Sequence, residues 1–213
     1  MPDKKTIDPA TLEILEIARN DGMVTAFDRA DTTQRCPIGH DGACCKLCDM
    51  GPCRLVGKTQ VGICGATKAT VAARNLARQI AGGTASHCDH GRHLSHILLD
   101  VSEGLAPDYQ IKDEHKLRTV AEYMGIPYEN RSKEEIAKDV ALSALSNYNT
   151  DKEEADPVKR APAKRQEVWR KLGITPRGLD REVVEAFHST HMGTDQDAEH
   201  ILTMALRVAL ADG

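Results

Sequence analysis

The chain has 213 residues, a formal net charge of −4 and only 3% aromatic residues, a length that suits one ordinary domain. With no basic excess and no aromatics interleaved among cations, it offers no case for a nucleic-acid partner. No apolar run reaches the length of a transmembrane segment and the polar start MPDKKTIDPA is not a signal peptide, so a cytoplasmic protein is expected.

Ala, Leu, Arg and Glu are plentiful, whereas aromatic and β-branched runs are sparse, so the fold is expected to be mainly α. Three stretches follow one another: N-terminal helices over 1–35, a cysteine-rich loop over 36–65 and a helical domain over 66–213, together one structural domain. Asp8 and Pro9 open a first helix as N-cap and first helical residue. Leu12, Ile14, Leu15 and Ile17 form an apolar face wider than one stripe, which predicts cover on more than one side. Asn20, Asp21 and Gly22 end it. Residues 23–34 predict a short second helical segment that leads into the cysteines.

Six of the seven cysteines then fall in the order C-x7-CC-x2-C-x4-C-x10-C, from Cys36 to Cys64. Adjacent side chains on extended backbone point to opposite sides, so Cys44 and Cys45 suit two centres better than one. The division that follows is Cys45, Cys48, Cys53 and Cys64 for one site, and Cys36 with Cys44 for another. Four thiolates suit zinc or an iron–sulfur cluster. The continuous run from Cys45 to Cys53 differs from the paired knuckles of zinc sites and favours a cluster, with Gly51 and Pro52 providing a tight turn; small core thiols are the plain alternative. Cys36 and Cys44 supply only two ligands. A site on the two-fold axis of a homodimer, completed by the same pair from a second copy, would close it; a disulfide is disfavoured in a reducing cytosol. Arg35, Lys46, Arg54 and Lys58 supply cations that would stabilise an anionic cluster.

A helix is expected from Ala66 through Val71, Leu76 and Ile80, with Ala69, Ala72, Ala73 and Ala77 permitting close packing and Gly82-Gly83 breaking or kinking it. His87, His90, His93 and His96 recur at every third position. On a helix they wind about half a turn while climbing roughly 13 Å, a poor cage for one ion but a workable proton relay; individually solvated histidines are the alternative. Cys88 among them reads as a small buried filler. Beyond Gly104, helices are expected over Glu114–Met124, 132–147, 164–172, 182–188 and 195–210. Ser132 and Glu135 form a capping box, 149–162 is a charged surface linker, His188 and His191 are surface residues, and no strand pattern is convincing.

Two of these stretches together carry a resemblance. CPIGHDGACCKLCDMGPCR, followed by ICGAT, ARNLAR and GTASHCDHGRHLSH, resembles the N-terminal helical domain of the anaerobic nickel–iron carbon monoxide dehydrogenases. AFDR before the loop and THMGTDQDAEHILTMALRVALADG at the end are similar to the same family. The resemblance spans nearly the whole chain and is weakest over 113–178. The related hybrid-cluster proteins also carry N-terminal cysteines but fit the CC pair and the histidine series poorly.

The resemblance implies a [4Fe-4S] cluster on Cys45, Cys48, Cys53 and Cys64, and a dimer-bridging cluster on Cys36 and Cys44 with the partner's pair. It implies an acid/base role for His87 beside the nickel–iron centre and a proton channel through His90, His93 and His96. The reaction would interconvert CO and H2O with CO2, protons and electrons, with ferredoxin or a similar acceptor and, in some settings, an acetyl-CoA synthase or a hydrogenase as partner. The interval from Cys53 to Cys64 is a few residues shorter than the family pattern, which alters the loop without removing the ligand. In the family the Ni-Fe-S cluster takes its ligands from two following α/β domains, so this stretch by itself is expected to be inactive toward CO and to be a fragment or a remnant. Its alternatives are a stand-alone dimeric iron–sulfur electron carrier and a zinc-stabilised helical interaction module.

Overall fold

A computed structural model describes residues 5–150 and 152–213; the first four residues of the polar start and Asp151 of the expected linker lie outside the described residues. The chain divides into two compact units, Met1–Asp41 and Gly42–Gly213.

The first unit holds α1 (Pro9–Asn20), α2 (Ala26–Thr32) and α3 (Pro37–His40). The Asp8 carboxylate accepts from the Ala10 and Thr11 N–H groups and Pro9 sits in the first turn, as the sequence predicts. Thr25 and Asp28 cap α2 reciprocally. The expected burial of the α1 face is not found: α1 has no buried residue, and Ile14 and Ile17 are exposed. So short a unit has too little chain to bury a core of its own.

The second unit is organised around α4 (Lys68–Ser102), a 35-residue helix started by a reciprocal cap between Thr67 and Thr70. It continues as one helix through Gly82 and Gly83, where a break or kink was expected. Paired glycines weaken a helix by about 1 kcal/mol each, but partners packed on both sides of them keep α4 in one piece. Those partners are α6 (Lys133–Ser146), α8 (Leu179–Ser189) and α9 (Ala198–Asp212). Ala73, Ala77 and Ala81 present small side chains to Ala186, Ile201, Met204, Ala205 and Val208. Ala69 and Ala72, expected on that face, are exposed.

A second core joins α5 (Glu114–Met124) to α6 through Leu117, Ala121, Ile136, Ala137 and Val140. The predicted capping box of Ser132 and Glu135 opens α6, and α7 (Ala163–Leu172) completes the helices. The expected surface linker proves partly structural. It contains a 3-10 helix (Asp156–Arg160) with Ala155, Asp156 and Val158 buried. Asp156 accepts from Asn147 Nδ2 at 3.1 Å and from Lys152 and Lys159 Nζ at 2.9 Å each, and its own N–H donates to Asn147 Oδ1 at 2.7 Å. Burial would raise its pKa, but these donors win and hold it at about 2. Between α8 and α9, the Glu182 carboxylate is fully buried and accepts from Arg177 Nε at 2.9 Å and Arg207 Nε at 2.6 Å. Among the described residues no helix is long and apolar enough to cross a membrane.

Candidate metal centre

Two short strands, missed in the sequence because each has only two residues, shape the cysteine loop. β1 (Cys44–Cys45) pairs antiparallel with β2 (Cys53–Arg54), placing Cys45 opposite Cys53 and Cys44 opposite Arg54. Strand alternation therefore sends Cys45 and Cys53 to one face and Cys44 to the other. The turn between the strands is closed by the Gly51 N–H donating to the Cys48 carbonyl at 3.2 Å, ahead of a cis Gly51-Pro52 bond. A Cβ on Gly51 would lie 2.9 Å from the Cys53 nitrogen and 3.3 Å from the Cys45 carbonyl oxygen, so only glycine lets the two strands close this tightly. Cys64 arrives from a second turn, in which Gly62 N–H donates to the Ala66 carbonyl at 2.8 Å and Gly65 takes a φ of +90°.

Cys45, Cys48, Cys53 and Cys64 line one small pocket, walled by Leu47, Ala66, Val71, Arg74 and Met192. Leu55, Ala66 and Val71 form a buried cluster beneath three of these cysteines. Among the described residues no three Cys, His, Asp or Glu side chains gather closely enough for a single metal ion. Four cysteines lining one pocket supply the thiolates that either an iron–sulfur cluster or a zinc ion takes. Hydrogen-bond donors turn toward the sulfurs as such a cluster requires: Ile63 N–H reaches Cys53 Sγ at 3.5 Å, and Arg74 Nη1 reaches Cys64 Sγ at 3.7 Å. Burial raises the Cys64 thiol, but the Ala66 N–H, Arg74, Gln196 and the Gly193 N–H outweigh it and bring the pKa down to about 7.

Cys36 lies in the first unit, exposed, at the start of α3; Cys44 is half-buried in the second, its carbonyl accepting from Asn75 Nδ2 at 3.4 Å. Lys46, Arg54 and Lys58 are exposed around the cysteines of the second unit.

His87, His90, His93 and His96 all lie on α4 and are exposed. His87 Nδ1 is 2.8 Å from Asp212 Oδ1 of α9, and His93 Nε2 stands 4.0 Å from Asp89. Cys88, next to His87 on α4, is 6% exposed, its pKa pushed up to about 11 by burial and by Asp212 and Asp180. It is the buried filler its sequence context predicts.

Sequence reasoning missed Arg74, Met192 and Gln196. Arg74 is 1% exposed and donates to the Asp195 carbonyl as well as to Cys64. Gln196 Nε2 donates to the Cys64 carbonyl at 2.9 Å, and Thr70 Oγ1 donates to the Gln196 carbonyl at 2.7 Å. The segment after α8 is thereby tied across the pocket. A signal was present: Arg74 is the one charge in the buried series Thr70, Arg74, Ala77, Ala81, Thr84, Cys88.

A family profile described as Prismane/CO dehydrogenase family matches residues 43–213. Carbon monoxide dehydrogenase 1 of Methanosarcina acetivorans is 45% identical over 99% of this chain and 34% of its own length. The carbon monoxide dehydrogenase/acetyl-CoA synthase subunit beta of Moorella thermoacetica is 40% identical over 98% of this chain and 32% of its own. Among solved structures, the Ni-free carbon monoxide dehydrogenase from Thermococcus sp. AM4 superposes with a TM-score of 0.85 at 37% identity, covering 98% of this chain and 35% of that one. A structure of acetyl-CoA synthase/carbon monoxide dehydrogenase described for its NiZn[Fe4S4] and NiNi[Fe4S4] clusters gives 0.84 at 39% identity, covering 98% of this chain and 32% of that one. The chain thus spans about a third of the length of the relatives it matches.

Proposed function

Because the chain belongs to the Prismane/CO dehydrogenase family, we propose that it is the cluster-bearing helical portion of an anaerobic carbon monoxide dehydrogenase. The activity would be the interconversion of CO and H2O with CO2, protons and electrons. What supports this most directly is the gathering of Cys45, Cys48, Cys53 and Cys64 around one pocket with N–H donors aimed at their sulfurs. A [4Fe-4S] cluster held there supplies one-electron storage between the site of CO chemistry and an external acceptor. Cys45 and Cys53 would hold it from facing strands, Cys48 from the turn and Cys64 from the side of α4. Leu47, Val71 and Met192 keep water from the sulfurs.

Cys36 and Cys44 would meet the same pair of a second copy in a bridging iron–sulfur cluster, making the working protein a homodimer, with ferredoxin or a similar protein as acceptor. An acetyl-CoA synthase is a further candidate partner, as in the complex to which the chain is similar; a hydrogenase is the other. With these six cysteines engaged, a nickel–iron centre needs ligands from elsewhere, so this stretch is inactive toward CO by itself.

His87 is the acid/base residue in this reading. When its Nδ1–H donates to Asp212, Nε2 is left free to accept a proton. His90, His93 and His96 continue along an unbroken helix and carry protons to bulk water.

The test is metal analysis by mass spectrometry on anaerobically purified protein, with subunit mass from the same sample. Iron with nickel in a larger subunit supports the dehydrogenase. Iron without nickel at the mass of this chain leaves the electron carrier, and zinc without iron removes both.

A further inference from the structure

Arg74 is almost wholly buried, yet among the described residues it has no carboxylate partner. Its polar contacts are the Cys64 sulfur and the Asp195 carbonyl oxygen, and its Nε is buried without any acceptor. A buried guanidinium normally pairs with an anion, because an uncompensated charge and an unmade hydrogen bond each cost several kcal/mol or are avoided. The carboxylates near the pocket are otherwise engaged: Asp195 accepts from His200 Nδ1 and the Asp197 N–H, and Asp197 caps α9. The missing anion is then the content of the pocket that Arg74 lines.

We propose that Arg74 is a positioning and potential-setting residue of the cluster site. It fixes Cys64, ties the segment at Asp195 across the pocket, and holds a positive charge against the four-thiolate centre, so that an added electron is favoured. This rests on the four-cysteine reading above. The cation lies inside the protein, where the surrounding dielectric is low and salt screens it little. It therefore acts more strongly than exposed Lys46, Arg54 or Lys58.

The experiment is a redox titration of the anaerobically purified protein, followed by the electron paramagnetic resonance of the reduced cluster, with iron and sulfide measured per chain. In Arg74→Gln the reduction equilibrium should move on the order of tenfold toward the oxidised form, about 59 mV more negative for a one-electron couple. Arg74→Lys, which restores the charge, should recover most of that shift. An unchanged potential in Arg74→Gln with full iron overturns the proposal and leaves the four-cysteine reading standing. If Arg74→Gln loses the cluster, Arg74→Lys decides: regained iron at a near-native potential supports the proposal, and loss of the cluster there with helix content intact makes Arg74 a structural support only. Wild-type protein that holds zinc or no metal fails before any substitution and counts against the four-cysteine reading itself.

Discussion

Of the four cysteines proposed as ligands of the internal cluster, Cys48 sits in the turn that Gly51 closes, between the two strands. In Cys48→Ser, the signal of the internal cluster and its iron should be lost while the dimer and its bridging cluster persist; loss of both would contradict the division of ligands. His87 gives a prediction of a different kind. In a full-length context His87→Ala should lower turnover on the order of a hundredfold, the usual range for a general acid/base, with cluster spectra unchanged, and native turnover would remove it from the mechanism. At this scale the thiols were legible because their chemistry is local: spacing alone separates Cys44 from Cys45, and the strand pairing places Cys45 beside Cys53 as that separation requires. Arg74 shows only as a lone charge in an apolar helix face; its role was not legible, because its acceptor at Asp195 lies 121 residues away.

Helix ends were read well at the caps of Asp8 and Ser132 and over Glu114–Met124, less well at α2 and α9, which begin three residues later than expected. Misreadings arose where tertiary contacts overrule local preference. Gly82-Gly83 should interrupt an isolated helix, but α9 and α6 hold α4 on either side of it. The segment around Asp156 looks like a solvated linker until Asn147 accepts its N–H. Two ionic elements give predictions here. Glu182→Ala removes the buried carboxylate shared by Arg177 and Arg207 and leaves them only the half-buried Glu185, and should cost about 3 kcal/mol, the low end for breaking a buried pair, in denaturant unfolding with α8 and α9 loosened together. Asp156 has a folded pKa of about 2, below its ordinary 3.8, so its contribution is complete above the ordinary value and is lost as pH falls through about 2. The stability gap between wild type and Asp156→Asn should therefore be flat near neutrality and close progressively below pH about 4; a gap independent of pH would place the effect elsewhere.

Among the described residues the second unit contains three separate buried clusters: one where α4 meets α8 and α9, one between α5 and α6, and one beneath the cysteines. Only the last packs against the cysteines proposed to hold a cluster. Anaerobic chelation of iron should leave most helical circular dichroism intact while residues 43–65 become sensitive to protease; global unfolding on chelation would show that the metal supports the whole unit. The mainly helical class was legible from composition, but how α4 is shared among three partner helices was not, because small residues at its contacts carry little directional pattern.

One consequence of the unbroken α4 concerns insertions and deletions. Arg74 and His87 are fixed to the same rod, about 20 Å apart along its axis. One residue added between them would swing the four histidines of α4, and Cys88 with them, by about 100° and away from Asp212, leaving the six cysteines from Cys36 to Cys64 untouched. Seven added residues would nearly restore the phase while lengthening the rod by about 10 Å. Length variants in this interval therefore keep the facing of the histidines relative to Arg74 only in steps of two turns, and even those carry His87 past Asp212, so α4 acts as a ruler with both an angular and a linear scale.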